Sequence, residues 1–96
     1  MTVKDKELQI LKAYYDKRYS NAPIDENSFD LADGKHEGAF YLTNLERDGK
    51  LSFDGEVIIK GGLSHEKYNN SVAMVRWDDA HITTSGEQYL KENNLI

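Results

Sequence analysis

The dipeptide Asp54-Gly55 lies between two apolar segments, and no other feature restricts the fold of this chain so strongly. Asp-Gly is a preferred sequence for a two-residue turn in which both residues have positive φ. The flanking segments are Leu51-Ser52-Phe53 and Val57-Ile58-Ile59. With that turn, Leu51 lies opposite Ile58 on one face of the ribbon. The pattern therefore predicts a β-hairpin over residues 51–59.

The segment before this hairpin has the periodicity of an amphipathic helix. Asp33 is a suitable N-cap residue, and Gly49 is placed where a left-handed residue ends the helix. The side predicted to face the core contains Gly38, Tyr41, Leu42 and Leu45. The side predicted to face outward contains His36, Phe40, Thr43 and Arg47.

Two further helices are predicted before this one. Residues 4–18 carry apolar side chains at helical spacing and should form the first helix, which buries one side against the others. After the loop at Pro23, Asp25 is expected to cap a short second helix that ends near Leu31. Ile24 would pack on Phe29 as a hydrophobic staple.

The chain after the hairpin is predicted to alternate loops, strands and a last helix. Residues 61–70 contain paired glycines and asparagines and are expected to form a loop. Residues 72–77 and 80–82 are predicted strands, joined by a turn at Asp78-Asp79. A threonine then caps the last helix, where Thr84 and Glu87 have the spacing of a capping box.

These elements together predict an α+β fold, a winged helix-turn-helix in which three helices precede a β-hairpin wing and a C-terminal helix. Ninety-six residues suffice for one modest core, so residues 1–96 are expected to form a single domain. The longest apolar run is only a few residues, and Met1 leads into a charged helix. We therefore expect no membrane span, no secretory signal and a cytoplasmic location.

The composition argues against catalysis and against a metal site. The chain has no cysteine and none of the common nucleophile or phosphate-loop motifs. His36, His65 and His81 have no ligand spacing in the sequence, and the carboxylates beside His81 are expected to form a polar turn. We predict no enzymatic activity, no cofactor and no metal. The net charge of −5 also limits the number of phosphate contacts available to the chain.

Three pieces of sequence spread over most of the chain carry a family resemblance. They are Ala22-Pro23-Ile24, Leu45-Glu46-Arg47-Asp48-Gly49, and the ending ITxxGxxYLKEN, which finishes at Asn93. With the predicted order of elements, they resemble the YjcQ-like family of small bacterial and prophage winged-helix proteins. The resemblance implies this fold and nucleic-acid binding, with no established activity to carry over. Gly38 stands where the family pattern implies a bulky apolar residue.

In a winged helix the third helix enters the major groove while the hairpin contacts the backbone or minor groove. On this basis Arg47 suits phosphate or guanine, and Asn44 suits adenine. We predict a bacterial or prophage regulator that binds duplex DNA. Its predicted contact residues are Lys35, His36, Phe40, Thr43, Asn44, Arg47, Lys60 and Lys67.

Phe40 also fits a second function. An aromatic side chain in the centre of an outward face is usually covered by something, and a protein partner covers one more often than DNA does. The alternative prediction is therefore a protein-interaction module, or a subunit of a homodimer, that uses the outer face of the third helix. A shift of the helical phase by one residue would instead place Phe40 in the core.

Overall fold

Three α-helices and two separate two-stranded antiparallel sheets make up the computed structural model, which describes residues 2–96. The helices are α1 (Val3–Ser20), α2 (Gly34–Arg47) and α3 (Thr84–Glu92). The strands are β1 (Leu51–Phe53), β2 (Ile58–His65), β3 (Asn70–Val75) and β4 (Ala80–Ile82). Single 3-10 turns lie at Glu26–Ser28 and Trp77–Asp79. The fold is α+β, as predicted.

One core joins the helices to both sheets. α1 packs on α2, α3 and β4, and it buries Leu8, Ile10, Leu11 and Tyr14. On α2, the four residues predicted to face the core, Leu45 among them, are all buried. Full burial of a large aliphatic side chain contributes about 1.5–3 kcal/mol to folding. The helical phase predicted for α2 is therefore confirmed for its core side.

The predicted hairpin at Asp54-Gly55 is wrong. β1 pairs with β4, with Leu51 opposite Ile82, and the Asp54 amide donates to Asp79 O at 2.7 Å. Gly55 has a φ of 77°, but Asp54 does not have positive φ. Pairing with β4 buries Leu51 against the helices, and packing of this kind outweighs the preference of an isolated turn. Residues 54–57 therefore cross from one sheet to the other.

The hairpin that does form consists of β2 and β3. Ile58 lies opposite Val75 and Ile59 opposite Met74, and the connecting turn is at residues 66–69. The prediction of a loop over residues 61–70 is wrong, because β2 extends to His65. Bulges interrupt the register on either side of Lys60, which explains why strand periodicity is absent from this part of the sequence.

The predicted second helix is also wrong in extent. Asp25 caps its first turn as predicted and accepts from the Asn27 amide at 2.8 Å, but the turn ends after Ser28. Phe29 is extended, with φ −132° and ψ 153°, and its ring packs on Trp77 at 5.4 Å. Burial of Phe29 against a residue far along the chain has replaced a further helical turn. Residues 2–96 therefore contain two α-helices before β1, where the sequence predicted three.

Two helix caps differ from the predictions. Asp33 occupies the N-cap position of α2 but makes no capping hydrogen bond with its side chain. Thr83, one residue before Thr84, caps α3 by accepting from the Gly86 amide at 3.0 Å. Thr83 also donates through Oγ1 to Gly49 O at 2.6 Å, which ties the start of α3 to the end of α2.

At Gly38 and at Gly86 another part of the chain lies so close to the backbone that no side chain can be accommodated. A Cβ at Gly38 would lie 2.5 Å from Cζ2 of Trp77, and a Cβ at Gly86 would lie 2.3 Å from Lys50 O. Trp77 is buried, although the sequence predicted it at the end of a strand, and it fills the volume that a large residue at position 38 would need.

Candidate nucleic-acid interface

Helix α2 carries six of the eight predicted contact residues, but little of its surface is open. Six of its residues are buried, and β3 packs against it. Only three of its residues are exposed: Thr43, Glu46 and Arg47. The accessible part of α2 is therefore its C-terminal half, and the N-terminal half lies under the β2–β3 hairpin.

A groove runs between α2 and the hairpin, with a volume of about 440 Å³. Ala39, Ile58 and Val72 provide its apolar side chains. Thr43 lines it from α2, and Lys60 lines it from β2. Arg47 follows Thr43 by one helical turn and so extends the same side of α2. Thr43 and Lys60 are therefore the predicted contact residues that line the groove, and Arg47 lies beyond it on the same side of α2.

The cations at this groove are only weakly neutralised. Lys60 is exposed and forms no ion pair with any residue in the range 2–96. Arg47 Nε lies 3.7 Å from Asp48 Oδ1, and both side chains are exposed. Surface pairs of this kind contribute at most about 1 kcal/mol, so Arg47 can exchange Asp48 for another anion at little cost.

The hairpin turn covers two of the other predicted contact residues, His36 and Phe40, and itself carries a third, Lys67. The ring of His36 lies 4.9 Å from that of His65, and the ring of Phe40 lies 5.2 Å from that of Tyr68. Phe40 is thus half-buried by the chain itself, against the core. Lys67 is held at the same place, with Nζ 3.8 Å from Asp33 Oδ2.

Asp33 is the centre of these contacts. Its carboxylate accepts from Tyr68 Oη at 3.1 Å and lies 3.7 Å from His65 Nε2, in addition to its contact with Lys67. Burial, and then the hydrogen bond to Asp33, raise the pKa of the Tyr68 phenol. Asp33 therefore anchors the hairpin turn to the start of α2. The sequence suggested only a capping role for this residue.

Glu37 is a buried carboxylate for which the sequence predicted no role. It accepts from the Asp33 amide at 3.1 Å and from Tyr41 Oη at 3.0 Å. Burial and the hydrogen bond to Glu37 raise the pKa of Tyr41 to about 12. The i, i+4 spacing of Glu37 and Tyr41 was the available signal, since such residues are neighbours on a helix. These hydrogen bonds offset the cost of burying the charge.

Lys35 and Asn44 are turned toward partners within the chain. Lys35 Nζ donates to Ala73 O on β3 at 3.1 Å. Asn44 Nδ2 donates to Glu7 Oε2 on α1 at 3.1 Å. Neither side chain lines the groove. Their predicted roles at a nucleic acid would require these hydrogen bonds to break.

His36 and His65 lie far apart in the sequence but meet in space, which the spacing argument missed. Even so, no group of three or more histidine and carboxylate side chains in residues 2–96 is arranged to hold a metal ion. No helix within that range is both long and apolar enough to cross a membrane.

Comparison of the chain with family models, with curated proteins and with solved structures finds no match. The candidate interface therefore has to be judged on its own geometry and charge.

Proposed function

We propose that this chain is a winged-helix protein that binds duplex DNA. In this proposal α2 is the helix that approaches the major groove, and the β2–β3 hairpin is the wing beside it. The order of helix, turn, helix, strand and hairpin supports the proposal, as does the resemblance to the YjcQ-like family. A bacterial or prophage regulator acting in the cytoplasm is the setting that this resemblance implies.

The observation that carries the proposal is the position of two accessible cations. Lys60 lines the groove from the hairpin and Thr43 lines it from α2, while Arg47 lies one helical turn beyond Thr43. Two such cations suit two phosphates, and the Thr43 hydroxyl can accept or donate a further hydrogen bond. The two other predicted cations lie outside the groove: Lys35 Nζ donates to Ala73 O, and Lys67 Nζ lies 3.8 Å from Asp33 Oδ2 at the hairpin turn.

The test is a salt titration of binding to a mixed-sequence duplex, measured by fluorescence anisotropy. With two phosphates neutralised, log affinity should fall against log salt with a slope of about −1.8. Arg47→Ala and Lys60→Ala should each reduce the magnitude of this slope by about 0.9. Lys91→Ala, an exposed position on α3, is the matched control and should leave the slope unchanged.

Two results would overturn the proposal. One is a wild-type protein that does not bind the duplex even at low salt. The other is a slope that neither Arg47→Ala nor Lys60→Ala changes, because binding would then lie elsewhere on the chain.

The alternative, an interaction module or dimer subunit that uses the outer face of α2, depended on Phe40 being open. Tyr68 and Tyr41 now cover much of that ring, with centroids 5.2 and 5.5 Å away. The alternative would be favoured if Phe40→Ala abolished self-association or partner binding without lowering the thermal unfolding midpoint. DNA binding is preferred because the groove cations remain accessible.

A further inference from the structure

The chain contains three Asp-Gly dipeptides, a sequence in which the backbone can rearrange without an enzyme. They are Asp33-Gly34, Asp48-Gly49 and Asp54-Gly55. Glycine has no side chain to shield its amide nitrogen from the carboxyl carbon of the preceding aspartate. In the unfolded chain the three dipeptides therefore have nearly the same reactivity, and the fold decides which of them reacts.

The rearrangement consumes no reactant other than water. The glycine nitrogen attacks Cγ of the protonated aspartate, and the carboxyl hydroxyl leaves with the amide proton as water, which closes a succinimide ring. Water then opens the ring at one of its two carbonyl carbons. Addition at Cγ restores aspartate. Addition at the main-chain carbon breaks the original peptide bond and leaves glycine bonded to Cγ, which gives isoaspartate with an unchanged mass and one more backbone carbon.

The amides of two of these glycines are hydrogen-bonded at the ends of α2. Gly34 N donates to Leu31 O at 3.2 Å, and Gly49 N donates to Glu46 O at 3.0 Å. An amide that donates a hydrogen bond has to lose it before its nitrogen can attack a carboxyl carbon. The net free energy of one such bond slows this step about fivefold.

The side chains of the same two dipeptides also have partners. Asp33 Oδ2 accepts from Tyr68 Oη at 3.1 Å. Asp48 Oδ1 lies 3.7 Å from Arg47 Nε, in an exposed and weaker contact. Because Cγ must rotate onto the following nitrogen, each side chain has to leave its partner first. The fold therefore restrains both halves of the reaction at Asp33 and at Asp48.

Asp54-Gly55 has neither restraint. The Gly55 amide donates no hydrogen bond within residues 2–96. The Asp54 side chain forms no ion pair in the same part of the chain. Both residues are exposed, and they lie between β1 and β2. Of the three dipeptides, this one is left open to the rearrangement.

The added backbone carbon would lengthen a connection that is fixed at both ends. At one end Asp54 N donates to Asp79 O at 2.7 Å. At the other end Val57 is buried, and its carbonyl accepts from Arg76 N at 2.7 Å. Only two residues separate Asp54 from Val57. One further carbon adds about 1.5 Å of chain, so one of the two ends has to shift.

We propose that Asp54-Gly55 is a self-modification site, at which the folded chain converts aspartate to isoaspartate through a succinimide. The product loosens the connection between the β1–β4 and β2–β3 sheets, so the chain acquires a second, less stable form with time. The proposal concerns residues 54–57 and does not depend on DNA binding.

Tryptic digestion separates the three dipeptides, because they fall in the peptides 19–35, 48–50 and 51–60. The folded chain is incubated at neutral pH, and isoaspartate is measured in each peptide as a separate chromatographic peak of unchanged mass, assigned by fragmentation. Peptide 51–60 should gain isoaspartate at least about fivefold faster than the other two. In urea the three dipeptides should react at similar rates.

The consequence for stability is measured by urea unfolding after the same incubation. Wild type should show a second transition at a lower midpoint, with an amplitude that matches its isoaspartate fraction. Asp54→Glu should keep a single transition, because glutamate would have to close a six-membered ring, which forms less readily. Asp48→Glu is the matched control and should behave as wild type.

Two results would overturn the proposal. One is a folded chain in which peptide 51–60 reacts no faster than the other two peptides. The other is an incubated wild type that contains isoaspartate at residue 54 but unfolds in a single transition at the original midpoint.

Discussion

At the scale of single residues, Gly38 shows how one side chain fixes the arrangement of others. Its missing Cβ lets Trp77 pack on α2, and Trp77 in turn contacts Phe29 and accepts at its backbone carbonyl from Tyr14 Oη at 2.6 Å. Burial, followed by the nearby charge of Asp78, raises the pKa of Tyr14. Tyr14, Phe29 and Trp77, which are distant in sequence, therefore meet because residue 38 has no side chain.

Gly38→Ala is expected to destabilise the protein by about 1–3 kcal/mol, the usual cost of overpacking a filled core. Alanine favours helix over glycine by about 1 kcal/mol, so an outcome at the low end would reflect that compensation. Urea unfolding measures the change, with Thr43→Ala as the exposed control on the same helix. If Gly38→Ala proves as stable as wild type, Trp77 does not lie against α2.

At the scale of elements, the hairpin turn and the start of α2 are held together by side chains. Asp33 contacts His65, Lys67 and Tyr68, and Asn70 Nδ2 donates to His36 O at 3.1 Å. Asp33 makes no capping hydrogen bond with its side chain, so its carboxylate contacts the hairpin turn and does not cap α2. The position of the β2–β3 hairpin beside α2 is therefore tied to this carboxylate.

Asp33→Ala should loosen the turn while leaving the rest of the fold in place. Loss of the hydrogen bond to Tyr68 and of the nearby charges is expected to speed amide exchange at residues 65–70 about tenfold. Amides of β1 and β4 should exchange as in wild type. Asp30→Ala, an exposed carboxylate nearby in sequence, provides the control. Unchanged exchange at residues 65–70 would show that apolar contacts alone hold the turn.

At the scale of the whole molecule, several buried or hydrogen-bonded phenols link stability to high pH. The pKa of Tyr41 is about 12, and those of Tyr14, Tyr19 and Tyr68 are also raised, chiefly by burial or, for Tyr19, by its hydrogen bond to Glu87. In the unfolded chain each phenol ionises near pH 10. The folded state therefore retains protons that the unfolded state has lost above that pH.

Stability should consequently fall as the pH rises above about 10, because a group whose folded pKa is raised stabilises the fold fully below its unfolded pKa and loses that contribution as the pH rises toward its folded pKa. Below pH 10 the phenols are protonated in both states and contribute no slope. Tyr41→Phe should be less stable at neutral pH but lose stability less steeply between about pH 10 and 12. Urea unfolding over this range measures both slopes. Parallel slopes for wild type and variant would contradict the burial of Tyr41.

The sequence by itself determined the three α-helices and the core side of α2, but it also predicted a helix after Asp25 where a single 3-10 turn forms. The buried side of α2, the glycine at Gly49 with a φ of 76°, and the burial of Leu45 all follow from residues within a few positions of each other. Helical hydrogen bonds join neighbours along the chain, and their 3.6-residue period is visible in the sequence. The sequence also predicted two of the residues that line the groove, Thr43 and Lys60, as contact residues.

Only the tertiary structure decided which strands pair and which of the other predicted contact residues are covered or paired within the chain. β1 pairs with β4 across almost thirty residues, against the local preference of Asp54-Gly55. His36 and Phe40 are covered because the hairpin folds back on α2, and Lys67 is held by Asp33. A strand takes its partner from anywhere in the chain, and the burial gained by the whole core selects that partner. The residues next to a strand in the sequence therefore do not indicate which partner it takes.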